Sequence, residues 1–224
     1  MMGKLIAIDG VDASGKQTQT TLLLSRLEKE GREVKMVSFP AYDKPSSILV
    51  KMYLNGEFGE NPSDVNAYAT STLFAADRFA TYRTDWGTDY NRGTIILADR
   101  YVSSNLIHQA SKINDTDEKE KFLMWLDDLE YGIYNLPRPD VTIFLDMPPE
   151  YGAELMSGRL NKSNGDDKKD IHESDFSYLE KSYENAMFVA KKFNWKRISC
   201  IKDGQIRSVD EIHEDIYSIV RELL

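Results

Sequence analysis

The chain has one cysteine, Cys200, in 224 residues. That excludes an internal disulfide framework and a zinc site built on thiolates. Cys200 lies in the apolar alternation RISCIKD, the setting of a core thiol rather than a nucleophile. The 3 histidines, at 108, 172 and 213, are too scattered to make a metal centre. His172 and His213 fall on polar faces of helical patterns, where a solvated ring is expected. No apolar run approaches the roughly 20 residues that cross a bilayer. The opening MMGKLIAIDG lacks the long apolar stretch and cleavage site of a signal peptide. A soluble, cytoplasmic protein with no membrane partner is therefore expected. Basic residues are the minority, 28 Lys and Arg against 37 Asp and Glu, for a formal net charge of −9. This argues against a nucleic-acid partner, which calls for a basic face. An acidic chain can still hold an anionic nucleotide if its few cations converge on one pocket. No internal repeat and no dividing linker appear, so residues 1–224 are expected to form a single domain.

Apolar, β-rich runs recur at 4–9, 33–39, 93–99, 141–146 and 197–201, several without polar alternation. Such runs suit strands covered on both faces of a parallel sheet. Helical patterns lie between them. TQTTLLLSRLEKEG closes on Gly31 as a C-cap, and SDVNAYATSTLFAADRFATY opens with Ser63 or Asp64 as N-cap and sets Tyr68, Leu73 and Phe74 near one face. DEKEKFLMWLDDLEYGIY, ESDFSYLEKSYENAMFVAKKF and SVDEIHEDIYSIVRELL read likewise. The alternation predicts an α/β fold, a doubly wound five-stranded parallel sheet with helices on both faces. Two stretches interrupt it. PAYDKPSSIL reads as a Pro-rich loop, and the polar segment 158–173 reads either as a solvated loop or as an active-site lid.

Gly10 to Lys16, GVDASGK, fits G-x-x-x-x-G-K between a strand and a helix. In that context Gly10, Val11, Asp12, Ala13, Ser14, Gly15, Lys16, Gln17 and Thr18 form an ATP-binding segment, in which the backbone N–H groups of residues 12–17 can converge on phosphate oxygens at a helix N-terminus. The two glycines allow close approach, and Lys16 sets a charge beside the β- and γ-phosphates. The residue after Lys16 is ordinarily Ser or Thr, whose hydroxyl meets magnesium; here it is Gln17. Thr18, Asp9 and Asp12 are the remaining hard oxygen ligands nearby. The third strand runs into DRYVSSNLIHQ, 99–109, beside that loop. Ligands bind at strand carboxyl ends in such sheets. Asp99 could hold magnesium through water or orient an acceptor phosphate there, and Arg100 offers a planar fork for that phosphate.

Together GVDASGKQTQ, FPAY at 39–42, TLFAADR at 72–78, DRYVSSN at 99–105, PDVTIFLDMPPE at 139–150 and DIHESDFSYLEKSYENA at 170–186 resemble the thymidylate kinases, P-loop nucleoside-monophosphate kinases. The resemblance implies transfer of phosphate from ATP to dTMP, giving dTDP and ADP on the way to dTTP, with Mg2+ as cofactor, in a homodimer. Residue by residue it implies that Phe74 stacks on thymine, Arg78 donates to a thymine carbonyl, and Asn105 meets the base edge. Arg100 would grip the dTMP phosphate, with Phe39, Tyr42, His108 and Gln109 around the acceptor. Asp12 would position the acceptor sugar or the metal, and Asp99 the transfer centre. Where some relatives place a catalytic arginine in the loop, this chain has Ala13, so the cation is expected from the lid at Arg159, Lys162, Lys168 or Lys169. Glu173 is a candidate magnesium ligand from the same segment. At His108 a tyrosine is expected near the sugar 2′ position, so the histidine either relaxes exclusion of ribonucleotides or is a structural ring. Other readings are a different nucleotide or deoxynucleoside kinase, or a non-catalytic nucleotide-binding homologue. A GTPase switch is disfavoured, because NKSN at 161–164 fails the N-K-x-D pattern.

Overall fold

A computed structural model of the chain describes residues 2–156, 171, 172 and 175–224. In chain order the elements are β1 (Leu5–Gly10), α1 (Lys16–Lys29), β2 (Val34–Ser38), α2 (Ile48–Leu54), α3 (Ala67–Thr81), α4 (Gly87–Arg92), β3 (Ile95–Asp99) and α5 (Val102–His108). They continue with α6 (Thr116–Asp127), β4 (Val141–Asp146), α7 (Pro149–Met156), α8 (Phe176–Lys192), β5 (Lys196–Ser199), β6 (Ile201–Lys202), β7 (Gln205–Ile206) and α9 (Val209–Leu223). Strands β1 to β5 form one sheet in the order β2-β3-β1-β4-β5, parallel throughout.

Side-chain alternation on the central strand explains the two helical layers. Leu5 and Ala7 of β1 face one cluster with Ile96, Ala98 and Phe144, covered by Leu106, Phe122, Leu126 and Val189 of α5, α6 and α8. Ile6 and Ile8 face the other, with Leu97, Ile143 and Leu145 under Leu23 and Leu27 of α1 and Ile212, Ile216 and Val220 of α9. All six residues of β1 are buried, so Leu5, Ile6 and Ile8 each contribute roughly 1.5–3 kcal/mol of burial. Cys200 belongs to the second cluster, fully buried, as its sequence setting implies.

Side-chain caps open α3, α6, α8 and α9. Asn66 Oδ1 accepts from Ala69 N at 2.8 Å, Asp115 Oδ1 from Glu118 N at 2.8 Å, and Ser208 with Glu211 closes a capping box on α9. The cap of α3 is thus Asn66, not Ser63 or Asp64, which lie in a separate 3-10 turn over Pro62–Asp64. Gly31, at φ 75°, follows the end of α1 as expected. The stretch read as a Pro-rich loop is partly helical, a 3-10 turn over Pro45–Ser47 running into α2. Tyr68 packs with Phe122 and Trp125, whereas Leu73 and Phe74 pack against Tyr53 and Val50, so these three do not share a face. A spacing of five or six residues turns a helix well past one side. The histidine expectation is also corrected. His172 and His213 are both buried, not solvated.

Candidate active site

The carboxyl ends of β1, β3 and β4 stand side by side, with Ile8 opposite Asp99 and Gly10 opposite Leu145. From β1 the chain leads to neighbours on both sides, which opens the crevice where such sheets take ligands. At its lip, Gly10 to Lys16 makes the predicted strand-loop-helix. Gly15 has φ 84° and Ala13 φ 61°, left-handed conformations that curl the loop so that its amides can converge. A Cβ at Gly10 would stand 2.8 Å from the Leu145 carbonyl oxygen, so only glycine passes there. Lys16 is buried, its Nζ donating to Val11 O at 2.8 Å across the mouth of the loop. Gln17 and Thr18 are exposed on the first turn of α1.

Asp9 is not a free metal ligand. It is fully buried and accepts from Ser103 Oγ at 2.7 Å, Ser104 Oγ at 2.8 Å and Gly10 N at 2.8 Å. That net ties the start of the loop to α5 and places Arg100. Arg100 has φ 67°, uncommon for a side chain of its size, and Arg100 N donates to Ile8 O at 3.0 Å. Its guanidinium reaches back into the crevice, where Nη2 pairs with Asp12 and Nη1 donates to His108 Nε2 at 3.3 Å. Arginine can only donate, so His108 Nε2 accepts and the ring proton sits on Nδ1. That Nδ1 is buried with no partner. Asp99, 5 % exposed at the end of β3, likewise keeps one buried oxygen, Oδ1, without a partner.

The charges are strongly coupled. Burial pushes the Asp12 carboxyl up, but Arg100 and Lys16 together outweigh it and hold it well below the usual carboxylate range. Burial and the Arg100 charge push the Lys16 amine down to about 8, against Asp12 and Asp99. Burial lowers His108 to about 4, so its ring is neutral at pH 7. The Lys16 and Arg100 charges thus both act on Asp12, which pairs directly with Arg100.

Beyond Arg100 the crevice deepens into a cavity enclosing about 490 Å³ together with its mouth. Phe39, Tyr42, Phe74, Arg78, Arg100, Asn105, His108 and Gln109 all line it, as does Asp12. Pro40, Leu54, Ser104 and His172 line it as well and were not foreseen. His172 donates to or accepts from Tyr53 Oη at 2.8 Å and stacks at 5.9 Å on His108. Arg78 lies deep in the fold. It is 1 % exposed and forked onto Glu130, with Nε to Oε2 at 2.6 Å and Nη2 to Oε1. Asp77 instead anchors the loop after β2, accepting from Ala41 N at 2.8 Å and from Ser46 Oγ. Asp146 accepts from Tyr183 Oη and Arg197 Nε at 2.8 Å each, tying β4 to α8 and β5. Arg159, Lys162, Lys168, Lys169 and Glu173 lie outside the described residues. Among the described residues no cluster of three or more His, Cys, Asp or Glu suits a metal, and no helix is long and apolar enough to cross a membrane.

Glu130 left one signal in the sequence. It continues the buried stripe Phe122, Leu123, Leu126, and an acid on an apolar stripe needs a buried partner.

The thymidylate kinase family model matches residues 8–216. The chain is similar to the thymidylate kinase of Mycobacterium tuberculosis, 34% identical over 162 residues, which is 72% of this chain and 74% of the relative. It is also similar to a probable thymidylate kinase of Thermococcus onnurineus, 29% identical over 217 residues covering 96% of each. Its fold is similar to the solved thymidylate kinase of Candida albicans, with a TM-score of 0.75 at 23% identity over 99% of this chain and 92% of that one.

Proposed function

We infer the work of each site residue from one premise, that the chain belongs to the thymidylate kinase family. It is an enzyme that transfers the terminal phosphoryl group of ATP to dTMP, giving ADP and dTDP. The observation that carries the assignment of roles is that the ends of β1 and β3 lie side by side, so that the loop ending in Lys16 meets Arg100 through the Arg100–Asp12 pair. Two nucleotides entering from opposite sides would bring their phosphates together there.

Phosphoryl transfer passes through a loose, in-line transition state, so the protein's task is to position and to neutralise charge. The loop from Gly10 to Thr18 cradles the ATP phosphates, and Lys16 trades its bond to Val11 O for the transferring group. Arg100 leaves Asp12 for the dTMP phosphate, and its fixed left-handed backbone aims the fork at the line of attack. Asp12, freed from Arg100, faces the acceptor sugar. The acceptor phosphate oxygen is already largely ionised near pH 7, so no general base is required. Phe74, edge-on to Tyr53 at 6.2 Å, offers the platform for the base. Phe39, Tyr42, His108 and Gln109 close the cavity around it.

The donor set fits magnesium in part. The unpartnered Asp99 oxygen is a hard ligand at the right place, Asp12 offers a second once Arg100 departs, and an ion held mainly by water and phosphate needs few protein ligands. When bound, Mg2+ neutralises phosphate charge. Thr18 is exposed beside the loop and would complete the shell only through water. A homodimer in the cytoplasm extends the reading. Exposed apolar side chains, among them Ile48, Leu49, Phe79 and Ile133, are available to a subunit contact. The test is direct. Purified protein with ATP, Mg2+ and dTMP should release dTDP and ADP in equal amounts and run at twice the chain mass in solution. Absence of dTDP would refute the roles, and a single-chain mass would refute the dimer.

A further inference from the structure

We propose that Glu130 is a positioning residue that fixes the hydrogen-bond polarity with which this cavity reads a base. The inference rests on the dTMP reading above and goes beyond it. Glu130 is fully buried in the π-helical turn Asp128–Ile133 that extends α6. Its two oxygens take Nε and Nη2 of Arg78, 52 residues away. Oε1 also accepts from Asn105 Nδ2 at 3.3 Å, and the other hydrogen of that amide goes to Ser71 O at 3.2 Å.

A carboxylate paired with arginine and a backbone carbonyl are both acceptors only. The Asn105 nitrogen must therefore face Glu130 and Ser71 whichever way the amide is first drawn. Its oxygen is left as the one polar atom able to meet a ligand. The fork on Glu130 likewise leaves both N–H groups of Arg78 Nη1 unclaimed among the described residues. Arg78, Asn105 and Phe74 line the same cavity. The wall thus presents donors beside an acceptor, over an aromatic face. Its complement is a ring edge with a carbonyl next to an N–H, the imide edge of thymine or uracil. A cytosine edge, with an amine beside a bare ring nitrogen, meets donor with donor and acceptor with acceptor. Neutralising Glu130 would free the Asn105 amide to turn over and the Arg78 fork to swing.

The experiment compares dTMP, N3-methyl-dTMP and dCMP as acceptors in wild type, Glu130→Gln and Glu130→Asp. Wild type should use dCMP and N3-methyl-dTMP at least about 100-fold less efficiently than dTMP, since a site built to bond an N–H rejects a ligand lacking it. Glu130→Gln should raise the KM for dTMP about tenfold with kcat within about threefold, and lower the dTMP to dCMP ratio of kcat/KM by about tenfold or more. Glu130→Asp keeps the charge beside Arg78 but is one methylene too short to hold Arg78 and Asn105 together. It should lower the ratio by about threefold or more. A ratio unchanged in either folded variant, or comparable use of dCMP by wild type, overturns the proposal. A wild type that makes no dTDP overturns instead the reading on which it rests.

Discussion

Arg100 and Arg78 line one cavity, the first beside Asp12 and the second beside Glu130, and the protein holds them in opposite ways. Arg100 is 21% exposed and paired with an Asp12 side chain that is 16% exposed, on a loop and a strand end that both carry left-handed backbone. Arg78 is 1% exposed and its partner Glu130 is fully buried, between two helical segments with a third, α5, bonded in through Asn105. Arg100's pair can open because water can re-enter as it does. Arg78's pair cannot, because a buried charge without its partner costs several kcal/mol. The difference assigns the labour. On the proposed roles, the phosphate end would exchange partners during turnover, and the base end would stay the same from empty to loaded enzyme.

That contrast can be broken in order of expected effect. Glu130→Ala should remove about 3–5 kcal/mol of folding stability by stranding the buried Arg78, read as a fall in Tm. A loss below about 1 kcal/mol would mean that Arg78 re-partners easily and that the two ends do not differ. Arg100→Ala should do the reverse. kcat/KM for dTMP should drop about 100- to 1,000-fold, with the KM for ATP and the Tm nearly unchanged. Normal dTMP kinetics in that variant would remove Arg100 from the acceptor phosphate. The smallest effect concerns His108, which sits between the two ends. Burial holds its pKa at about 4, against about 6.5 in the unfolded chain. Between those values the unfolded state binds the extra proton, so stability is intact above pH 6.5 and falls toward pH 4, by up to about 3 kcal/mol. His172, which burial also holds well below its ordinary value, adds a slope of the same sign. Melts of wild type and His108→Gln at pH 7, 5.5 and 4.5 should show a shallower acid limb in the variant, and equal limbs would exclude the histidine from it.

Much of the phosphate end was legible because its signals are local. Gly10 to Lys16 is a contiguous strand-loop-helix, and Arg100 follows its strand directly. The base end was legible only as a set of residue types. Phe74, Arg78 and Asn105 could be named by resemblance, but nothing near Arg78 in the chain pointed to Glu130, and Asp77 beside it serves the loop after β2 instead. His172 misled for the same reason. Its flanking polar residues suggested solvent, whereas Tyr53, His108 and Tyr178 come from three other parts of the chain to cover it. The cap of α3 was misplaced by a few residues because Asn61 to Asn66 holds several competent cappers, and only packing selects among them.

The amino-acid sequence alone determined the five strands of the main sheet and their apolar faces, the long helices between them, and the strand-loop-helix from Gly10 to Lys16. Each of these depends on interactions a few residues long, through backbone sterics, side-chain period and helix caps. The tertiary structure alone decided which charge answers which. Asp12 met Arg100 across 88 residues, Arg78 met Glu130 across 52, and Asp9 met Ser103 across 94. Charge pairing in a low-dielectric cleft is selected by proximity after the chain has packed, and proximity between distant segments is not written in any local pattern.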